Sequence, residues 1–358
     1  MSENNELIEQ VRAVLGKIPD PETGRGLKKQ ILAIEPAAES ITVRVGLTSF
    51  AAAIREEFQE KVQSTLASEL PDSKFSVVIE DFDRPPQPLG TVGLKCKAVV
   101  AIAAGKGGVG KSTAATSLAI ALKRAGSSVG LLDADVYGPS IPQLTGIRGR
   151  CAAGQGEKIA PMDFNGIPLM SIGYMIPPGE AVIWRGPMLH SAVTTFVRNT
   201  DWGDLDYLII DMPPGTGDIA LSLSQLLPLT GSIIVCTPQE VALIDAVKAV
   251  GMFRKVNIPV IGLIENMSSF ICPDNGKSYD IFGKGGAKEF AQQDNIPFLG
   301  EIPININLRQ RGDDGKMVDN FDDEMVAPYL ESIARKLVTT LADNAAANPV
   351  TPTLPVIG

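Results

Sequence analysis

Apolar positions change their period repeatedly along this chain. Leu7, Ile8, Val11, Val14 and Leu15 recur at helical spacing, and the stretch Ile18-Pro19-Asp20-Pro21-Glu22-Thr23-Gly24 after them is a turn by composition. Ile31-Leu32-Ala33-Ile34 and the alternating Ile41-Thr42-Val43-Arg44-Val45 predict strands, Ala51 to Leu70 a helix, and Phe75 to Ile79 a third strand. Residues 1–82 therefore predict a small α+β domain. Asp83-Arg84-Pro85-Pro86-Gln87-Pro88-Leu89-Gly90 then opens a proline-rich linker over 83–95, a composition that favours an extended, semi-rigid chain.

From 96 to 342 the pattern alternates between apolar runs and helical periods. Strands are predicted near 98–104, 129–134, 207–212, 231–237, 259–265 and 297–301. Several, such as Tyr207-Leu208-Ile209-Ile210 and Ile233-Ile234-Val235-Cys236, are almost wholly apolar. Strands apolar on both faces indicate a parallel sheet covered by helices on each side, and ligands of such sheets bind at the carboxyl ends of the strands. With Gly105-Lys106-Gly107-Gly108-Val109-Gly110-Lys111-Ser112 following the first of these strands, the expected fold class is α/β, a P-loop NTPase with a mostly parallel sheet flanked by helices, plus the small N-terminal α+β domain. The Ala/Pro/Thr-rich end, 343–358, is expected to be disordered.

The chemistry sits where these patterns meet. The apolar run Ala98 to Ala104 leads into Gly105-Lys106-Gly107-Gly108-Val109-Gly110-Lys111-Ser112-Thr113, and a helical period follows to Ala125. This strand, glycine turn and helix is the context in which G-x-x-x-x-G-K-[ST] is a phosphate loop. Its backbone N–H groups and helix N-terminus close on phosphate oxygens. Lys111 is expected on the β- and γ-phosphates of ATP, with the Ser112 hydroxyl on Mg²⁺. The strand ending at Asp211 matches a Walker B carboxylate, also on Mg²⁺. In the stiff turn Pro213-Pro214-Gly215 the Gly215 N–H could sense a γ-phosphate. Asp133 and Asp135 stand at another strand end, where two carboxylates suit Mg²⁺ and water positioning; a helix N-cap or Asx turn is the plainer alternative, of equal weight only for Asp133. The only histidine is His190. No Ser-His-Asp or Cys-His set is available, so hydrolysis here rests on positioning and charge neutralisation.

Composition narrows the function classes. With 358 residues and 44% hydrophobic positions the chain can build two domains and a large core. A net charge of −9 without a basic run argues against a nucleic-acid coat. No run of about 18 apolar residues suggests a membrane span, and the acidic first residues do not read as a secretory signal. Cys96, Cys151, Cys236 and Cys272 are scattered, which fits a reduced, cytoplasmic protein.

The stricter pattern K-G-G-x-G-K-[ST]-T, met by Lys106 through Thr113, resembles the deviant Walker A ATPases, the class of MinD, ParA and the nitrogenase iron protein. The resemblance implies that Lys106 reaches across a dimer interface to the partner's nucleotide. It also implies that the 133–135 stretch is switch I, with Asp135 orienting the attacking water and Asp133 near the metal, and that Asn266 reads the adenine. Asp-Val-Tyr-Gly-Pro-Ser-Ile-Pro (135–142), Asp-Met-Pro-Pro-Gly-Thr-Gly-Asp (211–218), Glu-Asn-Met-Ser (265–268), Trp184-Arg185-Gly186-Pro187 and Asp280-Ile281-Phe282-Gly283 narrow the likeness. They resemble the Mrp/ApbC branch, iron–sulfur cluster carrier ATPases. The N-terminal unit, with Asp20-Pro21-Glu22, is similar to the iron–sulfur assembly domain often fused to them. This implies a slow, switch-like Mg-ATP hydrolase working as a homodimer, a labile iron–sulfur cluster bridged between subunits, and as partners apo iron–sulfur client proteins and assembly machinery, with no nucleic acid and no membrane.

One departure matters. Those carriers use a C-P-x-C motif, and here Cys272-Pro273-Asp274-Asn275 has Asn275 where the second thiolate belongs. Thiolates are the soft ligands that clusters require. Three readings follow: a cluster held by two Cys272 residues plus outside thiols, a scaffold or chaperone ATPase that carries no cluster, or a Cys272 that is only a small hydrophobe. A MinD/ParA-like positioning ATPase is the alternative from another class. Such proteins use a basic C-terminal helix or face, whereas the last predicted helix here, 322–343, is not strongly basic.

Overall fold

The computed structural model describes residues 2–350 except 38, 91–92, 137, 153, 155–157, 175–185, 217–220 and 222–223. Its chain divides into two compact units, one made of Met1–Arg84 with Val338–Gly358 and the other of Pro85–Leu337.

In the smaller unit, helix α1 (Ser2–Leu15) and helix α2 (Arg55–Glu69) accompany a three-stranded sheet. Strand β1 (Ile31–Pro36) runs antiparallel to β2 (Ile41–Leu47), and β3 (Phe75–Asp81) runs parallel to β2. The helical stripe Val11, Val14, Leu15 and the α2 residues Phe58, Val62, Leu66 are buried, as are Val43 and Val45 of β2. A parallel pair needs a crossover, and α2 supplies it. The Asp20-Pro21-Glu22 turn is an ion cluster. Arg84 Nη1 lies 2.7 Å from Asp20 Oδ2 and 3.2 Å from Glu22 Oε1, and the hydroxyls of Thr23 and Thr48 donate to Asp20 and Glu22.

The chain's end differs from expectation. The last helix, Ala327–Ala347, runs beyond residue 342, and the Val350 N–H donates to the Thr23 carbonyl while Arg25 Nε donates to the Val350 carbonyl. Residues 343–350 are thus tied into the smaller unit rather than disordered. Alanine is the best helix former, so Ala345-Ala346-Ala347 extends the helix where composition suggested a tail. The linker 83–95 is also shorter than expected, because β4 (Pro88–Leu89) pairs antiparallel with Leu94–Lys95.

The larger unit is a mostly parallel sheet. Strands β5 (Leu94–Ala103), β6 (Val129–Asp133), β9 (Leu205–Asp211), β10 (Gly231–Cys236), β11 (Val260–Ile271) and β13 (Phe298–Ile304) stand where apolar runs predicted them. Across the sheet the order is β12 (Ser278–Tyr279), β11, β10, β5, β9, β6, β8 (Ile167–Ser171) and β7 (Met162–Phe164), with β13 on β11. Pairings among β5, β6, β8, β9, β10, β11 and β13 are all parallel. Every residue of β9 and β10 is buried, as expected of strands sandwiched between helix layers. Helix α3 (Lys111–Ala125) packs on β5, β6 and β9, α6 (Glu240–Lys255) on β10, and α7 (Gly286–Gln293) on β11 and β13.

The sequence reading missed a hairpin. β7 (Met162–Phe164) and β8 (Ile167–Ser171) are joined by Asn165 at φ 50° and Gly166 at φ 76°. Asn-Gly between apolar residues is a type I′ hairpin signal. Helix α4 (Ile141–Thr145) and helix α5 (Gly186–Asn199) complete the region before β9. The family-like Trp184 and Arg185 lie outside the described residues. His190 falls within α5.

Candidate nucleotide site

The site forms at the carboxyl ends of three strands and midway along a fourth. β5 delivers the loop 104–110, β9 delivers Asp211, β6 delivers Asp133 and Asp135, and β11 delivers Asn266. Because β9 lies between β5 and β6, Asp211 pairs in register with Ile102 on one side and Asp133 on the other. Topology alone therefore gathers the P-loop and both acidic motifs.

Within the loop, Gly110 has φ 84° and caps α3. A Cβ there would stand 1.9 Å from Asn266 Nδ2, so backbone conformation and packing both demand glycine. The Asn266 amide donates to the Val109 carbonyl at 2.9 Å and is buried. Its Oδ1, an amide acceptor, makes no hydrogen bond among the described residues. Gly105 lies against the backbone of Asp245 on α6. Lys106, Gly107, Gly108, Thr113, Asp135 and Pro214 are among the residues that border a cavity of about 270 Å³ at this loop. Lys106 is half-exposed at its mouth and, among the described residues, makes no hydrogen bond or ion pair.

Lys111 is the electrostatic centre. Its Nζ lies 2.6 Å from Asp211 Oδ1 and 3.4 Å from Asp135 Oδ2, in side chains 7%, 0% and 11% exposed. The Ser112 hydroxyl donates to Asp211 Oδ2 at 2.5 Å. Burial pushes the Asp211 carboxyl up, and the Lys111 ammonium and its hydrogen bond pull it back. Burial and the Asp211 charge push Asp133 up to about 8, against the pull of Lys111, Ser171 and the Asp135 N–H. Asp211 and Asp135 are the two carboxylates that meet the Lys111 ammonium.

Ser112 Oγ and Asp211 Oδ2 are adjacent hard oxygen donors, the chemistry Mg²⁺ prefers. Asp133, expected near the metal, stands opposite Asp211 on the neighbouring strand. It is fully buried, and its oxygens accept from Asp135 N (3.1 Å), Ile141 N (3.3 Å) and Ser171 Oγ (3.0 Å). The Gly215 N–H, expected at a phosphate, donates to the Ala104 carbonyl at 2.9 Å. This bond ties the Pro213-Pro214-Gly215 turn to the end of β5, and phosphate sensing would require its exchange.

β11 continues beyond Asn266. Glu265, wholly buried, accepts from Gly285 N and Ala287 N and so caps α7. Met267 takes φ 58°, and from Asn266 to Phe270 the strand advances four positions while β13 advances two, from Ile302 to Ile304. The strand then turns at Cys272, whose N–H donates to Lys277 O and whose carbonyl accepts from Gly276 N, and pairs with β12 (Ser278–Tyr279). Asn275 Oδ1 accepts from Lys277 N. Cys272 is half-buried, and among the described residues no three His, Cys, Asp or Glu gather as a metal site. Cys96 and Cys236 are sheet core, with burial pushing both thiols up to about 12. Sequence reasoning missed Ser171 and the capping role of Glu265, because both act on partners distant along the chain.

Comparison with known proteins follows the same lines. A family model described as ParA, NUBPL iron-transfer P-loop NTPase, matches residues 95–338. The iron-sulfur cluster carrier protein of Deinococcus radiodurans is 42% identical over 332 residues, covering 90% of this chain and 92% of that protein. The protein of the same description from Escherichia coli is 43% identical over 281 residues, 76% of each chain. The mouse iron-sulfur cluster transfer protein NUBPL is 48% identical over 222 residues, covering 62% of this chain and 70% of that protein. Among solved structures, a nucleotide-binding protein of Archaeoglobus fulgidus in complex with ADP has 38% identity and a TM-score of 0.57, over 63% of this chain and 89% of that one. The cell division ATPase MinD of Pyrococcus furiosus, at 20% identity and a TM-score of 0.52 over 68% of this chain and 98% of its own, shares the fold.

Proposed function

Since the chain belongs to the NUBPL iron-transfer group of ParA-type P-loop NTPases, we propose that it binds and hydrolyses Mg-ATP and uses that cycle to deliver iron–sulfur clusters to apoproteins. One constellation carries the ATPase half: Lys111 and Ser112 both meet Asp211, with Asp135 beside the lysine. Ser112 and Asp211 would hold Mg²⁺, which supplies charge neutralisation to the phosphates. Lys111 binds the β- and γ-phosphates, and Asp135, at the cavity wall, orients the attacking water. Lys106, half-exposed and unpartnered among the described residues, is suited to enter the pocket of a second copy. In that arrangement hydrolysis is slow and acts as a switch between dimer geometries, in the cytoplasm.

ATP turnover measured in Lys111→Ala and Lys106→Ala tests this half. Both variants are expected to lose phosphate release, and equal release in all three proteins overturns the enzyme reading. Nucleotide-dependent mass by light scattering tests the pairing.

The cluster is cargo. Two copies offer two Cys272 thiolates, and the remaining iron valences fall to a small thiol or a client cysteine. Anaerobic reconstitution with iron and sulfide is expected to give a thiolate-to-iron absorption band that vanishes in Cys272→Ala. A second reading, a scaffold ATPase that holds no cluster, is favoured by Asn275, whose side chain is spent on its own turn. Turnover with no iron uptake selects that reading.

A further inference from the structure

Asp133 and Ser171 sit opposite each other at the ends of two parallel strands, β6 and β8, in register. The Ser171 hydroxyl donates to Asp133 Oδ2 at 3.0 Å, and its oxygen accepts from Gly173 N at 3.0 Å. Asp133 Oδ2 also takes the N–H of Ile141, the first residue of α4, at 3.3 Å, and Oδ1 takes the N–H of Asp135 at 3.1 Å. Both side chains are 0% exposed. Three donors from three segments therefore converge on one carboxylate, leaving it little capacity to ligate an ion. Asp133 does not border the cavity at the P-loop, whereas Asp135, two residues on, does. The donors hold both ends of the loop that carries Asp135: its N-terminal side at Asp135 N and its C-terminal side at Ile141 N.

We propose that Asp133 and Ser171 form a buried strut that positions Asp135, so that Ser171 on β8 is a positioning residue of the hydrolytic site and Asp133 is not a magnesium ligand. The inference rests on the ATP-hydrolase reading. A misplacement of about 1 Å in a water-orienting group can cost on the order of a hundredfold in rate. Asp135 is also held by its ion pair with Lys111 and by the Gly138 N–H on its Oδ1, and the strut fixes the backbone on which these contacts depend. Ser171 is a hydroxyl in an apolar strand whose only polar atom is spent on this network, which is the signature of a fixed orientation rather than of packing.

Steady-state hydrolysis, Mg²⁺ titration and amide hydrogen exchange on the full chain test it. In Ser171→Ala, kcat is expected to fall roughly five- to tenfold, and in Asp133→Asn about a hundredfold. The Mg²⁺ half-saturation and the KM for ATP should stay within about twofold of wild type, because neither residue touches metal or nucleotide. In an Asp135→Asn background, Ser171→Ala should cause no further loss, since the strut acts only through Asp135. Exchange of the peptide from Ala134 to Ile141 should quicken in Ser171→Ala, a readout that needs no turnover and stands even if the hydrolase reading fails. A tenfold rise in Mg²⁺ half-saturation in Asp133→Asn, with Ser171→Ala indistinguishable from wild type in rate and exchange, overturns the strut. Should Asp133→Asn fail to fold, the Ser171→Ala results decide alone.

Discussion

Lys111 Nζ stands 2.6 Å from Asp211 Oδ1, in a pair whose side chains are 7% and 0% exposed. A buried ion pair is weak evidence of stability, but breaking one side strands a charge. Lys111→Ala is therefore expected to cost about 3–5 kcal/mol of unfolding free energy in addition to abolishing turnover. Lys111→Ala combined with Asp211→Asn should recover most of that stability and none of the activity. Thermal or denaturant melts with and without the second substitution check this.

Gly110 and Asn266 make a second pair. Gly110→Ala forces a side chain into φ 84° and onto the Asn266 amide, and it should cost about 1–3 kcal/mol and most of the nucleotide affinity. Removing the clash in a Gly110→Ala, Asn266→Ala double variant should return part of the stability but not the affinity, because the backbone strain persists. Fluorescent ATP-analogue binding with melts in parallel separates the two costs.

Thiol chemistry gives a pH prediction. Burial favours the neutral form of Cys96 and Cys236 and raises both to about 12. A raised thiol titrates later, so at pH 8 only roughly one in ten thousand of these groups is thiolate, and alkylation requires unfolding or strong alkali. Native protein should therefore show reaction only at the half-buried Cys151 and Cys272, with Cys151 slowed by its own burial. All four should react in denaturant. Mass spectrometry after iodoacetamide at pH 8 reads the sites, and bound iron should protect Cys272.

Truncation after Ala342 tests the chain's end. The missing residues include the helix turn that lies against Gly24, where a Cβ would stand 1.9 Å from the Ala345 carbonyl, and Val350, bonded to Thr23 and Arg25. The truncated protein should melt lower, with faster amide exchange around 18–25. Unchanged exchange there would mean that the tail is dispensable.

Motifs that are local in sequence were legible, and those completed by distant partners were not. The P-loop, Asp211 and the apolar strands were readable because spacing and periodicity are short-range properties. Ser171 was not, because its meaning comes from Asp133, 38 residues earlier on a neighbouring strand. The β7–β8 hairpin that carries it did leave a signal, Asn165-Gly166, but strands this short, one holding Pro168, fall below what alternation can reveal. The helical end past residue 342 departs from the tail its composition suggests because three alanines favour helix and the contacts of Ala345 and Val350 lie with residues 23–25. Glu265 looked like one letter of a family string, yet it caps a helix 20 residues on.

β11 joins the nucleotide loop to the cysteine turn as one continuous strand, and its local surplus of two residues between Asn266 and Phe270 opposite β13, with Met267 in a left-handed conformation, lies on the path between them. Each strand residue advances about 3.3 Å, so deleting a dipeptide there would draw Cys272 toward Asn266 by up to roughly 7 Å. The bulge is in that sense a molecular ruler, and its length is a property on which selection can act independently of either end.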